Sequence, residues 1–242
     1  MEKQAHIKLL PIEGLSSAII VGDPARVDNI AKLADSSQPL EFNREFKSAL
    51  VMYKGKKILA LSTGIGAPSC AIAVEEAYNI GIRNIIRVGS AGSLKKDFTL
   101  GQLLVCTAAV RDEGLTERYL PKAFPAIASY DLVLKIMQAA KIQNDASVVY
   151  GVARSHDGFY IPNEEKVQEF WADTPAIGED METSTLFICG MLKGIKTASI
   201  LNNVVNYGSD TAEGIKDYVE GGSLTALGET ASIKIALNAL SA

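Results

Sequence analysis

The sequence predicts an α/β fold: a single-domain three-layer α/β/α sandwich around a mixed, largely parallel central sheet. Three observations predict it. Short β-branched runs alternate with amphipathic stretches, the order expected of strand–helix–strand units. No linker, repeat or low-complexity tract divides the chain. Its 242 residues, 48% of them hydrophobic, are enough for one sizeable core. In chain order, the runs Ser17–Val21, 57–61, 85–89, 103–108 and 198–205 are rich in Val, Ile, Leu and Ala and read as buried strands. Between them the stretches 70–81, 130–140 and Thr183–Lys193 carry helical spacing, and a last helix is expected over 223–240. The longest irregular region spans 112–125, and the polar stretch 207–222 is a second candidate loop.

Composition excludes several classes of function. A formal charge of -4 with interspersed signs gives neither a basic stripe for nucleic acid nor a polybasic patch for a lipid surface. The expected partner is therefore a small molecule. No apolar run of signal-peptide length precedes Pro11, and no stretch reaches the roughly 18 apolar residues of a membrane helix, so a cytoplasmic protein is expected. Cys70, Cys106 and Cys189 are odd in number, widely spaced and set in apolar surroundings, as reduced core residues are. The two histidines, His6 and His156, show no metal-ligand spacing, so no metal is expected.

In open α/β sheets, ligands sit beyond the carboxyl ends of strands, so chemistry is sought there. The first strand runs into Gly22-Asp23-Pro24-Ala25-Arg26, where glycine permits close backbone approach and Arg26 brings a planar cation. The second ends in Ser62-Thr63-Gly64-Ile65-Gly66-Ala67-Pro68-Ser69 before a helix, presenting backbone N–H groups and hydroxyls. The third ends in Arg87-Val88-Gly89-Ser90-Ala91-Gly92-Ser93. Together they predict one electropositive anion pocket. Gly64-x-Gly66 lacks the third glycine and the downstream acid of a dinucleotide fingerprint, and no Gly-Lys-Ser/Thr triplet is present, so free phosphate fits better.

At these residues the chain resembles the hexameric nucleoside phosphorylase family, which includes bacterial purine nucleoside phosphorylase and uridine phosphorylase. The matching stretches are Val-Gly-Asp-Pro-Ala-Arg-Val at 21–27, Ser-Thr-Gly-Ile-Gly-Ala-Pro-Ser at 62–69, Ile-Arg-Val-Gly-Ser-Ala-Gly-Ser at 86–93, Phe159-Tyr160, and Glu-Asp-Met-Glu at 179–182. The resemblance covers nearly the whole chain. It implies phosphate binding by Gly22, Arg26, Arg87 and Ser90, with Arg44 supplied by a neighbouring subunit. It also implies a homo-oligomer, a hexamer built as a trimer of dimers. Inorganic phosphate is then a co-substrate, and no cofactor is needed.

The same resemblance implies that Met181 packs on ribose and that Glu182 accepts hydrogen bonds from its 2′- and 3′-hydroxyls, for which a carboxylate has enough lone pairs. Glu182 is also placed to cap the helix that follows it. Where the family has a glutamate two positions earlier, this chain has Asp180. His6 resembles the family's N-terminal histidine, which reaches a neighbour's ribose 5′-hydroxyl, and Phe159 is expected to stack on the base.

Base preference is read from departures. Uridine phosphorylases carry a glutamine and an arginine shortly after the Phe-Tyr pair; this chain has Asn163 and Glu165. A further arginine follows the Val-Asn pair in those enzymes, whereas Tyr207 follows Val205-Asn206 here, and no arginine occurs after Arg154. The expectation is therefore a preference for purines. Purine enzymes of the family place a catalytic aspartate where Asn206 aligns. Asn206 offers a neutral hydrogen bond to the departing base, and Asp210 is the alternative acid. The expected reaction is phosphorolysis: phosphate attacks the anomeric carbon through an oxocarbenium-like transition state, with Arg87 central to holding it. The competing expectations are a uridine phosphorylase, a water-using nucleosidase and a non-catalytic nucleoside-binding protein.

Overall fold

The computed structural model describes residues 2–143, 146–209, 212, 214–216 and 223–242. The first strand, β1 (Ser17–Val21), leads into α1 (Pro24–Leu33), which starts sharply. Asp23 caps it by accepting from Ala25 N at 2.8 Å, and Pro24 occupies a first-turn position where no N–H is required. A hairpin, β2 (Ser36–Asn43) and β3 (Phe46–Tyr53), is followed by β4 (Lys56–Ser62) and α2 (Ala67–Asn79). Then come β5 (Asn84–Ser93), β6 (Leu103–Asp112), a 3-10 turn at Thr116–Arg118, the two-residue β7 (Ala126–Ile127) and α3 (Tyr130–Ile142). The remaining elements are β8 (Val148–His156), α4 (Glu164–Ala172), β9 (Ala176–Asp180), α5 (Thr183–Lys193), β10 (Lys196–Val205) and α6 (Ser223–Ser241).

The sheet runs β2-β3-β4-β1-β5-β9-β8-β6-β10, and β10 returns to pair with β5. Five strands, β5, β9, β8, β6 and β10, therefore close into a ring, from which β1, β4, β3 and β2 extend as a wing. The expected sandwich is present as an α/β fold with a mixed sheet; the ring closure is the feature that the strand runs did not disclose. Parallel pairs join β1 to β4 and β5, β5 to β10, β6 to β8 and β8 to β9. Antiparallel pairs join β10 to β6 and β5 to β9, and build the hairpin wing.

Side-chain alternation explains why the central strands read as continuous apolar runs. Ala18 and Ile20 of β1 join Leu59 and Leu61 of β4 in one cluster, capped by α2 and α5. Ile19 and Val21 join Ile58 and Ala60 in the other, beneath α1, α3 and α6. Each isoleucine, leucine or valine among them, buried on its own face, contributes roughly 1.5–3 kcal/mol. Alpha6 packs closely because Gly228 carries no side chain: a Cβ there would stand 2.7 Å from the carbonyl oxygen of Gly101. Among the described residues no helix is long and apolar enough to cross a membrane.

Several boundaries differ from expectation, β5 and the region 112–125 among them. Beta5 does not end at Gly89 but runs to Ser93, since its Gly-Ser-Ala-Gly-Ser segment keeps pairing with β10 as far as Gly92, across an irregularity between Asn203 and Val205. The region 112–125 contains the 3-10 turn, pinned by the buried Arg111, whose guanidinium donates to the carbonyls of Leu120, Pro121 and Phe124.

Candidate active site

The strand ends meet as the sequence predicts. Beta1 lies between β4 and β5, and the β1–β4 ladder continues past both strands through Thr63 N to Val21 O at 2.8 Å and Gly64 N to Gly22 O at 3.0 Å. Beside this edge opens a cleft of about 600 Å³, lined by Gly22, Arg26, Gly64, Arg87 and Ser90 and also by Phe159, Met181 and Glu182.

Its floor is an ion cluster. Arg87 donates through Nη2 to Glu182 Oε2 at 2.5 Å and through Nε to Asp180 Oδ2 at 3.1 Å. The side chains of Arg87, Glu182 and Asp180 are 3%, 6% and 1% exposed, so these charges interact with little water between them. The third guanidinium nitrogen, Nη1, is buried and has no partner among the described residues. Burial works against the Arg87 charge, but Glu182 and Asp180 outweigh it and push its pKa up. Burial pushes the Glu182 carboxyl up from its ordinary value, against the opposing pull of Arg87.

Glu182 does not cap α5 with its side chain; its Oε1 instead accepts from Gly66 N at 2.6 Å, which ties β9 to the turn after β4. Asp180 does the capping, accepting from Thr183 N at 3.0 Å and Thr183 Oγ1 at 2.6 Å while Ser155 Oγ donates to its other oxygen at 2.6 Å. The shorter aspartate at this position is thus fully engaged inside the protein wall.

The other expected residues divide. Arg26 lines the cleft, but its Nε donates to Glu229 of α6 at 3.0 Å and its Nη1 to Val88 O at 3.0 Å. The electropositive pocket expected from three strand ends is therefore balanced: in this low-dielectric setting each arginine carries a carboxylate counter-charge. His6 and Arg44 lie outside the cleft of their own chain. His6 Nδ1 is 2.7 Å from Glu76 Oε1, and Asn43 donates to the His6 carbonyl at 2.7 Å. Since Arg44 follows Asn43 at the exposed β2–β3 turn, the two residues share one surface. Asn206 stands exposed just beyond β10, next to the cleft-lining Val205, and does not itself line the cleft. Asp210 lies outside the described residues. Asn163 and Glu165 are exposed at the start of α4.

Sequence reasoning missed His156, Glu164 and Glu179 on the cleft wall and Glu229 behind Arg26. His156 and Glu179 are the last and fourth residues of β8 and β9, the same strand-end signal that located Gly22. Glu229 has no such signal, because it arrives from a helix 203 residues away from Arg26. The three cysteines are buried and free, and among the described residues no cluster of His, Cys, Asp and Glu is suited to a metal ion.

An α/β sheet that presents a buried arginine–carboxylate cluster in a cleft with an aromatic side chain fits a small polar ligand. The phosphorylase superfamily matches residues 16–239, and the chain belongs to it, within the nucleoside phosphorylase family. It is 38% identical over 200 residues to guanosine phosphorylase of Halorubrum lacusprofundi, covering 83% of this chain and 82% of that one. The structure of uridine phosphorylase from Vibrio fischeri superposes with a TM-score of 0.91 at 41% identity, over 99% and 98% of the two chains. Purine nucleoside phosphorylase of Toxoplasma gondii in complex with immucillin-H gives 0.89 at 35% identity, over 100% and 96%.

Proposed function

We propose that this chain is a nucleoside phosphorylase that prefers purine nucleosides and converts nucleoside and phosphate into free base and ribose 1-phosphate. The observation that carries it is the Arg87–Glu182 contact. A buried cation for phosphate and a carboxylate for vicinal hydroxyls lie side by side on one floor, so the two halves of the substrate would be held next to each other.

In this mechanism phosphate is held by the Gly22 backbone, Arg26, Arg87 and Ser90, with Nη1 of Arg87 available as a donor. Met181 and Glu182 hold the ribose, and Phe159 stacks on the base. A phosphate oxygen attacks C1′ as the C1′–N bond breaks, and the bonding electrons leave with the base. The phosphate dianion stabilises the positive charge that develops on the sugar. Asn206, or Asp210 beyond it, assists the departing base by hydrogen bonding, which requires the segment after Val205 to fold over the cleft. No cofactor takes part, and the setting is the cytoplasm.

His6 and Arg44 supply the ribose 5′-hydroxyl and phosphate contacts of a neighbouring subunit in a hexamer built as a trimer of dimers. Their shared surface, tied together by Asn43, supports this. The purine preference is supported by the exposed Asn163 and Glu165 where uridine enzymes carry their base-reading pair, and by the likeness to a guanosine phosphorylase. A uridine preference is the second reading, favoured by the likeness to the Vibrio fischeri enzyme. Turnover of inosine, adenosine and uridine, with and without phosphate, tests both. Phosphate-dependent cleavage of a purine nucleoside is expected. Equal base release without phosphate would mean a nucleosidase, and cleavage of uridine alone would overturn the purine preference.

A further inference from the structure

Glu179 stands on the cleft wall in a setting different from that of the other two buried carboxylates. Asp180 and Glu182 are consumed by Arg87, the α5 terminus and the Gly66 backbone. Glu179 is gripped from behind on one oxygen only. Its Oε2 accepts from Arg154 Nη1 at 2.7 Å and lies 3.7 Å from His156 Nε2. Arg154 is itself immobilised by Asp112, through Nε at 2.8 Å and Nη2 at 2.7 Å, and by the Trp171 ring 5.0 Å away. The pairing follows from sheet register, since Arg154 and Glu179 are direct neighbours on β8 and β9.

The second oxygen, Oε1, accepts no hydrogen bond from the described residues. It lies beside Gly92, which also lines the cleft: a Cβ there would stand 3.7 Å from Oε1. His156 also lines the cleft, and its Nδ1 is buried with no partner among the described residues. Phe159, the expected stacking face, lines the same cleft.

We infer that Glu179, braced by Arg154 and flanked by His156, reads the edge of the base and selects 2-amino-6-oxopurines. This rests on the nucleoside reading above. A carboxylate only accepts hydrogen bonds, so it favours bases that present N–H groups. Guanine offers two adjacent donors, N1–H and the 2-amino group, which match the two carboxylate oxygens as a bidentate pair. Hypoxanthine offers one of them. Adenine sets the lone pair of N1 beside its amino group, and uracil flanks N3–H with two carbonyl oxygens; both repel a carboxylate. A buried acceptor that a base leaves unmatched weakens binding of that base, which is how such a site discriminates.

The test compares kcat/KM for guanosine, inosine, adenosine and uridine in the wild type and in Glu179→Gln, with direct titration of guanosine and inosine in the absence of phosphate. Wild type is expected to favour guanosine over inosine by about tenfold or more, and in Glu179→Gln that ratio collapses towards one. Glu179→Asp keeps the charge against Arg154 but withdraws the oxygens; the same collapse is expected, so a failure of the glutamine variant to fold does not leave the matter open. A residue serving only the Arg154 ion pair would lower both substrates together and leave the ratio intact, which overturns the inference. So does a wild type that prefers adenosine or uridine. Should no nucleoside be turned over with phosphate, the phosphorolysis reading falls, and the guanosine-to-inosine binding ratio still decides the role of Glu179.

Discussion

Arg87 and Glu182 meet at 2.5 Å with both side chains almost wholly out of solvent, although each is the group that the proposed reaction would spend on a different half of its substrate. The two hold each other in place, with Nη1 of Arg87 left over. A phosphate arriving at Nη1 and a ribose arriving at Glu182 therefore bind a cluster that is already oriented, and little side-chain ordering remains to be done at the moment of reaction.

Removing Arg87 is expected to act on stability and activity separately. Arg87→Ala leaves Asp180 and Glu182 as buried carboxylates without their cation, at a cost of about 3–5 kcal/mol of folding free energy. Arg87→Lys restores a charge but not the fork that serves Asp180 and Glu182 at once. Thermal melting should rank wild type above Lys above Ala, whereas phosphate-dependent turnover should be lost in both variants. A lysine variant with wild-type turnover would contradict the role proposed for the guanidinium.

The Glu182 carboxyl supplies a pH test with a definite sign. Burial raises its pKa above the ordinary 4.5, with Arg87 opposing. A raised carboxyl binds its proton more tightly in the folded state than in the unfolded one. Its contribution to stability is therefore complete below about 4.5 and is lost as pH rises through the elevated folded value. Urea unfolding of wild type and Glu182→Gln across pH 4 to 8 should show the wild type losing stability relative to the variant as pH rises. A difference that stays flat, or one that grows in favour of wild type, contradicts the direction. The variant should also lose catalysis, since a carboxamide cannot accept two hydroxyl hydrogen bonds with full charge.

Shared sites between subunits predict complementation. Arg44→Ala and Arg87→Ala should each be inactive as pure assemblies. Co-refolded together, they form dimers in which one cleft has Arg87 from its own chain and Arg44 from the neighbour, so part of the activity returns. Mixed samples that stay as inactive as the parents, with mixed oligomers shown to be present by mass, would place Arg44 outside the neighbouring cleft.

What the sequence disclosed depended on burial pattern. Beta1 and β4 were legible because both of their faces are covered and their runs are unbroken. Beta2 was invisible: its Ser-Ser-Gln-Pro-Leu-Glu-Phe-Asn segment is largely exposed and held mainly by pairing with β3. The far half of β5 read as a loop because glycine and serine there serve close packing, as at Gly89, where a Cβ would stand 2.7 Å from Leu201. In the site, Gly22, Arg26, Arg87, Ser90, Phe159, Met181 and Glu182, singled out from strand ends and motifs, all line one cleft. The counter-charges were not foreseen, because Glu229 comes from the far end of the chain and the tie between Glu179 and Arg154 depends on a strand register that no local motif encodes.

The ring of five strands also sets an order of assembly. Beta5 is complete by Ser93, yet its partner β10 begins at Lys196, so Gly89 and Leu201 become neighbours only after more than a hundred intervening residues have been made and folded. During synthesis β5 and β6 each present a bare edge until β10 slots between them. The strand that carries Arg87 therefore lacks its β10 neighbour until the chain has been made as far as Val205, and the ring that supports the cleft floor closes only with that last strand.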